Sequence, residues 1–173
     1  MADNEAGRDR QEGTRGAPII LPEDLLMWEK LAGDRLPELM ESREGAARFL
    51  QDSDWRLRLC ALSLLKRKWR PDAALAETSE KLAFADPHPQ VRGVALHTLA
   101  CCFQGTDDPR IGKLLADIVV DERRYDEQSR RSAYSGLFIL RDIDVSERLR
   151  AIKKRFPEDV DWEFVASFRP TNA

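Results

Sequence analysis

Asp86-Pro87-His88-Pro89-Gln90-Val91-Arg92-Gly93-Val94-Ala95-Leu96-His97-Thr98-Leu99 is the stretch whose reading decides the fold. Two prolines and an aspartate make a tight turn, and the residues after them carry the spacing of a helix. Asp52, Leu57, Arg58, Ala61, Leu62 and Leu65 match Asp86, Val91, Arg92, Ala95, Leu96 and Leu99, each 34 residues later. A third copy is partial. Arg130, Ala133 and Leu137 match Arg92, Ala95 and Leu99 at an offset of 38, the extra four residues amounting to about one helical turn. A turn-and-helix unit of this size cannot bury its own apolar face and needs neighbouring copies to do so.

Outward from this stretch the chain reads as helices throughout. A first helix starts at Pro22, with Glu23 and Asp24 at the positive end of its dipole and Gly33 as its stop. A second runs from about Pro37 to Gln51, and a third from 54 to about 68, where Leu57, Ala61, Leu64 and Leu65 supply the apolar spacing. Pro71 marks the start of the next, and Pro89 and Pro109 open two more. The helix from Pro109 to Asp121 has the cleanest stripe: Ile111, Leu114, Leu115, Ile118 and Val119. Helix 127–141 follows, then one capped by Ser146 through Phe156, and 161–168 reads as a helical turn or a short strand, the turn being favoured. No strand-like alternation occurs elsewhere, so the expected class is all-α. Residues 1–17 lack apolar periodicity and read as a disordered tail, and 18–173 as a single helical domain.

The bulk composition narrows the function. Apolar residues make up 42% and charged residues 34%, and 28 Lys and Arg against 31 Asp and Glu leave a net charge of −3. That balance gives no global pull toward nucleic acid or a membrane surface, and no apolar run is long enough to span a bilayer. Three cysteines, Cys60, Cys101 and Cys102, have no staple-like spacing, and the expected setting is reducing and cytoplasmic. The chain has two histidines, His88 and His97, and no nucleophile elbow, phosphate loop or dinucleotide fingerprint. His97 and Cys101 stand one turn apart, and Cys60 lies on the preceding repeat helix, but a structural zinc site needs four ligands. The expectation is no enzyme, no metal and no cofactor.

The pattern resembles HEAT repeats in their short, PBS-lyase-type form, with Asp in the turn and Val-Arg opening the second helix of each pair. The resemblance covers residues 36 to 141 as three units. It implies a right-handed α-α superhelical solenoid of about three helix pairs, with capping helices at either end. It also implies that Asp52 and Asp86 cap the second helix or bond backbone in the turn. Arg58 and Arg92 would pair with turn aspartates of neighbouring units, as a ladder. The third copy departs from the pattern, with Arg124 at the aspartate position and Tyr134 in place of a leucine.

In such a stack the second helices line the concave surface. Arg56, Leu59, Ser63 and Arg67 of the first would face it, with Gln90, Gly93, His97 and Cys101 of the second and Gln128, Arg131, Ser135 and Ile139 of the third. Lys66, Arg67, Lys68 and Arg70 crowd around Trp69 at one end, a basic cluster suited to an acidic protein partner. The leading expectation is therefore a non-enzymatic adaptor that binds protein through the concave or edge surface. Its candidate contacts are Arg56, Lys66, Arg67, Trp69, Arg70 and Arg131. The alternative is DNA binding, because Asp54-Trp55-Arg56-Leu57-Arg58-Leu59-Cys60-Ala61 resembles a Trp-x-Arg-Arg-x-Ala segment of HEAT-like alkylpurine DNA glycosylases. A net acidic chain with one basic helix end makes nucleic acid the weaker reading.

Overall fold

The computed structural model describes residues 20–69, 71–152 and 155–169, and those residues form helices and turns with no strand among them. Helix α1 (Pro22–Ala32) ends at Gly33, whose φ of 51° is a conformation glycine adopts without strain. Three helix pairs follow. The first is α2 (Leu36–Glu41) and α3 (Arg43–Arg48) with α4 (Trp55–Lys68), the second α5 (Ala73–Ala85) with α6 (Pro89–Cys102), and the third α7 (Pro109–Val120) with α8 (Glu127–Leu140). The chain finishes with α9 (Val145–Ile152) and the short α10 (Trp162–Ala166).

Side-chain capping sets most helix starts. Asp54, Asp72, Asp108, Asp126 and Asp161 each accept a hydrogen bond from a first-turn N–H of the helix they precede. The single helix expected over Pro37–Gln51 is instead two, because Ser42 is extended and accepts from the Gly45 N–H at 2.9 Å, which starts a new helix. Asp144, not Ser146, begins α9: its carboxylate accepts from the Ser146 N–H at 2.8 Å. The expected tail over residues 1–17 and Arg70 lie outside the described residues.

Helix α6 is central, packing against α4 on one side and α8 on the other, with α5 behind it and α7 behind α8. Residues related by the repeat offset are buried alike: Ala61, Ala95 and Ala133 fully, and Leu62 and Leu96 to within about a percent. Gly136 brings α8 close, since a methyl there would meet the Ala100 Cβ and the Leu115 Cδ1 at 3.1 Å. Tyr134, the odd residue of the third copy, is buried, and its hydroxyl accepts from the Asp161 N–H at 3.1 Å, fixing the start of α10.

The turns are joined by arginine. Arg58 donates through Nε and Nη2 to both carboxylate oxygens of Asp86, at 2.7 and 2.9 Å, and through Nη1 to the Asp52 and Ser53 carbonyls. Arg92 repeats this one unit on, donating to the Asp86 and Pro87 carbonyls and to Asp126 at 2.6 Å. Asp52 and Asp86 each accept from an N–H two residues on, at 2.8 Å. In the third copy Asp126 takes the aspartate's place, sitting four residues before Arg130 where Asp52 and Asp86 sit six before their arginines. It caps α8 through the Ser129 N–H as well as receiving Arg92. At the far end Arg130 donates to the Val119 carbonyl at 2.9 Å, and its guanidinium lies 5.1 Å from the Phe156 ring centroid.

The two ion pairs differ in burial, with side-chain exposures of 9% and 2% for Arg58–Asp86 against 25% and 37% for Arg92–Asp126. Arg58→Ala is expected to cost about 3–5 kcal/mol in urea unfolding, because it strands a buried carboxylate. Arg92→Ala is expected to cost about 1 kcal/mol. Equal losses would show that burial does not rank the two pairs.

Candidate functional site

The last turn of α4 carries Lys66, Arg67 and Lys68, cations that complement the negative end of the helix dipole. Neighbouring elements engage them, although Arg67 stays exposed. Helix α1 lies against α4, with Trp28 fully buried, and its buried Asp24 accepts from Arg67 Nη1 at 2.7 Å. Lys68 donates to the Met40 carbonyl, and its ammonium lies 4.8 Å from the Trp69 ring centroid. Lys66 Nζ is 3.2 Å from His97 Nδ1 on α6, and the Cys101 sulfur approaches the same nitrogen at 3.6 Å. Helix α9 packs against α8 and brings Arg148 within electrostatic reach of Lys66, His97 and Cys101.

The electrostatics of this cluster follow from burial and from its surplus of cations. Burial, reinforced by Lys66, Arg148 and Arg67, depresses the His97 imidazole to about 3, so the ring is neutral near pH 7. Burial also lowers the Lys66 ammonium, with Arg67 and Arg148 acting in the same direction. The Cys101 thiol is pushed up by burial against the pull of the nearby cations. Cys60 and Cys102 are pushed up to about 12, chiefly by burial, so these sulfurs are protonated and poor nucleophiles. Among the described residues no group of three or more His, Cys, Asp or Glu is placed to hold a metal ion.

The expected concave surface is largely covered rather than open. Leu59, Ser63, Gly93, Ser135 and Ile139 are buried, and His97 and Cys101 are partly so. Of the residues expected to meet a partner, Lys66, Arg67 and Trp69 gather at the end of α4, where Lys66 meets His97, Arg67 meets Asp24 and the Trp69 ring faces Lys68. Arg56 is exposed at the other end of α4 and pairs with Asp54 at 3.0 Å. Arg131 is separate, paired with Glu127 at 2.9 Å and facing Phe156. In the segment likened to DNA glycosylases, Trp55 stacks on His88 at 3.8 Å and Arg58 is held by Asp86.

A second feature lies on the edge where the turns meet. Ala83, Phe84, Asp86, Arg92, Arg124, Tyr125 and Asp126 line an open cleft of about 250 Å³. Phe84 is 41% exposed and meets Tyr125 edge to face at 6.3 Å. Arg124 lies over Tyr125 at 5.5 Å and makes no ion pair among the described residues. Sequence reading passed over Phe84 and Tyr125, which sit in a helix end and a charged connector and carry no motif. Arg124 was visible there as the residue that breaks the turn pattern.

The chain matches no protein-family model, no curated protein and no solved structure.

His97 gives the cluster a measurable pH signature. The unfolded ring takes up a proton near pH 6.5 while the folded ring resists until about 3, so the unfolded state binds more protons between those values. Stability is therefore expected to fall as pH drops below 6.5, by at most about 1.4 kcal/mol per unit, with no contribution above it. His97→Gln is expected to flatten the dependence between pH 6.5 and 4.5 in urea titrations. Equal slopes for the two proteins would count against a buried neutral histidine.

Proposed function

We propose that this chain is a non-enzymatic protein-interaction module: a HEAT-like stack of three helix pairs that binds a protein partner through its turn-bearing edge. The observation that carries the reading is the edge cleft, where an exposed phenylalanine, a tyrosine and an arginine with no carboxylate partner among the described residues stand together beside the ladder of turns. Aromatic and arginine side chains are the residues that most often anchor protein interfaces. The cleft fits a segment that presents an apolar or aromatic side chain beside a carboxylate, the first against Phe84 and Tyr125, the second on Arg124.

The alternative at the end of α4 is less well supported, since Lys66, Arg67 and Lys68 are engaged by His97, Asp24 and the Met40 carbonyl. No helix among the described residues is long and apolar enough to cross a membrane, and the three cysteines are unpaired, which supports a cytoplasmic setting.

Affinity capture with the wild-type chain and a Phe84→Ala/Arg124→Glu variant tests this. Proteins retained by the wild type should be lost, by tenfold or more, from the variant and kept by Arg56→Glu, with circular dichroism confirming that all three remain helical. Identical retention by wild type and edge variant would overturn the edge as the binding surface.

A further inference from the structure

Helix α1 has two faces, and the fold uses one of them. Asp24, Trp28 and Ala32, spaced one turn apart, are buried on the side held against α4, where Asp24 accepts from Arg67. Glu23, Leu26, Met27 and Lys30 stand three, four and seven residues apart, so they form a single stripe on the opposite side. All four are exposed, and Leu26 keeps 66% of its surface and Met27 40%. Leu26 is the most exposed large apolar side chain among the described residues. Glu23 and Lys30 enter no ion pair among the described residues. A lone exposed leucine needs no explanation, but this stripe has an internal order. Its apolar pair lies at the centre and its opposite charges at the two ends, roughly 10 Å apart along the axis.

We propose that this stripe is a self-association surface, on which α1 packs antiparallel against α1 of a second copy of this chain. The order of the stripe is what selects a second copy. A two-fold axis passing between Leu26 and Met27 sets position 23 opposite position 30 and position 26 opposite position 27, each contact occurring twice. Leu26 of each copy then packs on the partner's Met27, and Glu23 of each faces the partner's Lys30. Both charges are answered and no like charges meet. A parallel pair in register would set Glu23 against Glu23 and Lys30 against Lys30, so the charges also fix the direction. The antiparallel pair places the positive end of one helix dipole beside the negative end of the other. This surface is on a different helix from the edge cleft and does not rest on the reading of that cleft.

An 11-residue helix against its copy makes a small interface, below the roughly 1,200 Å² of a standard complex, so a dissociation constant on the order of 10–100 µM is expected. Sedimentation equilibrium of the full chain, at concentrations reaching well above that range, tests the proposal. Leu26→Glu, Glu23→Lys and Lys30→Glu should each weaken the dimer by roughly tenfold or more, with circular dichroism unchanged. An equimolar mixture of the Glu23→Lys and Lys30→Glu chains should regain the wild-type affinity to within about threefold, because each then offers the charge the other lacks. A chain that stays monomeric throughout would overturn the proposal. So would self-association that persists in Leu26→Glu, which would place the contact elsewhere, such as on the exposed Val145 and Leu149 of α9. Charge variants that leave the affinity unchanged, or whose mixture fails to associate, would overturn the antiparallel pairing and with it the site.

Discussion

The structure depends on one buried ion pair. Arg58 reaches out of α4 and binds Asp86 through two parallel hydrogen bonds while its third nitrogen closes on carbonyls of its own turn. Burial alone would raise the Asp86 carboxyl, but Arg58 and the His88 N–H outweigh it and hold the group below the ordinary carboxylate range. The pair ties the turn of one helix pair to the arginine of the pair before it, fixing the distance and rotation between neighbours. A hydrophobic contact between α4 and α6 would tolerate sliding; a bidentate guanidinium–carboxylate contact does not. Arg92 and Asp126 continue the ladder at a more exposed position. At its end Arg130 meets no turn aspartate among the described residues; it donates to the Val119 carbonyl, lies 3.9 Å from the Glu122 carboxylate and faces the Phe156 ring. The C-terminal segment therefore does for the third pair what the next turn does for the first two.

Much of this was legible in the sequence, because capping, helix periodicity and the alanine–leucine spacing are local or strictly repeated signals. The helix starts at Pro22, Pro89 and Pro109 were readable from proline placement, and the packing alanines from their offsets. The break at Ser42 was not, since Arg43 and Glu44 continue an acceptable helical pattern and only the hydrogen bond from Gly45 shows the new start. The third turn misled for a related reason. Matching by a constant offset put Arg124 at the aspartate position, whereas the chain supplies the carboxylate two residues later, from the capping residue itself. Offset matching assumes that geometry repeats residue by residue, and a cap that also serves as the ladder's acceptor breaks that assumption.

The surface was less legible than the core. The outward faces of α4, α6 and α8 follow from helical spacing, but spacing cannot say whether another helix lies on them. Here α1 lies on α4 and α9 on α8, from opposite ends of the chain, and at the basic end of α4 Lys66 and Lys68 are half-buried while Arg67 stays exposed. The apolar side chains at Leu26 and Leu149 remain exposed on those helices, so covering the face has not exhausted their own apolar area.

That covering changes the meaning of the basic residues. On an open helix end, Lys66 and Arg67 would be ordinary solvated charges, each contributing little. In the folded chain Lys66 is half-buried against His97, while Arg67 keeps 43% of its side chain exposed and pairs with the buried Asp24. An uncharged residue such as leucine or methionine at position 66 would pack against α6 at lower electrostatic cost, so a lysine there is unfavourable for stability taken alone. The His97 ring lessens that cost by accepting one hydrogen bond but contributes no charge, being neutral near pH 7. The cations at the end of α4 are thus taken up by contacts within the molecule, which leaves the turn edge, with Phe84 exposed, as the surface proposed for partner contact.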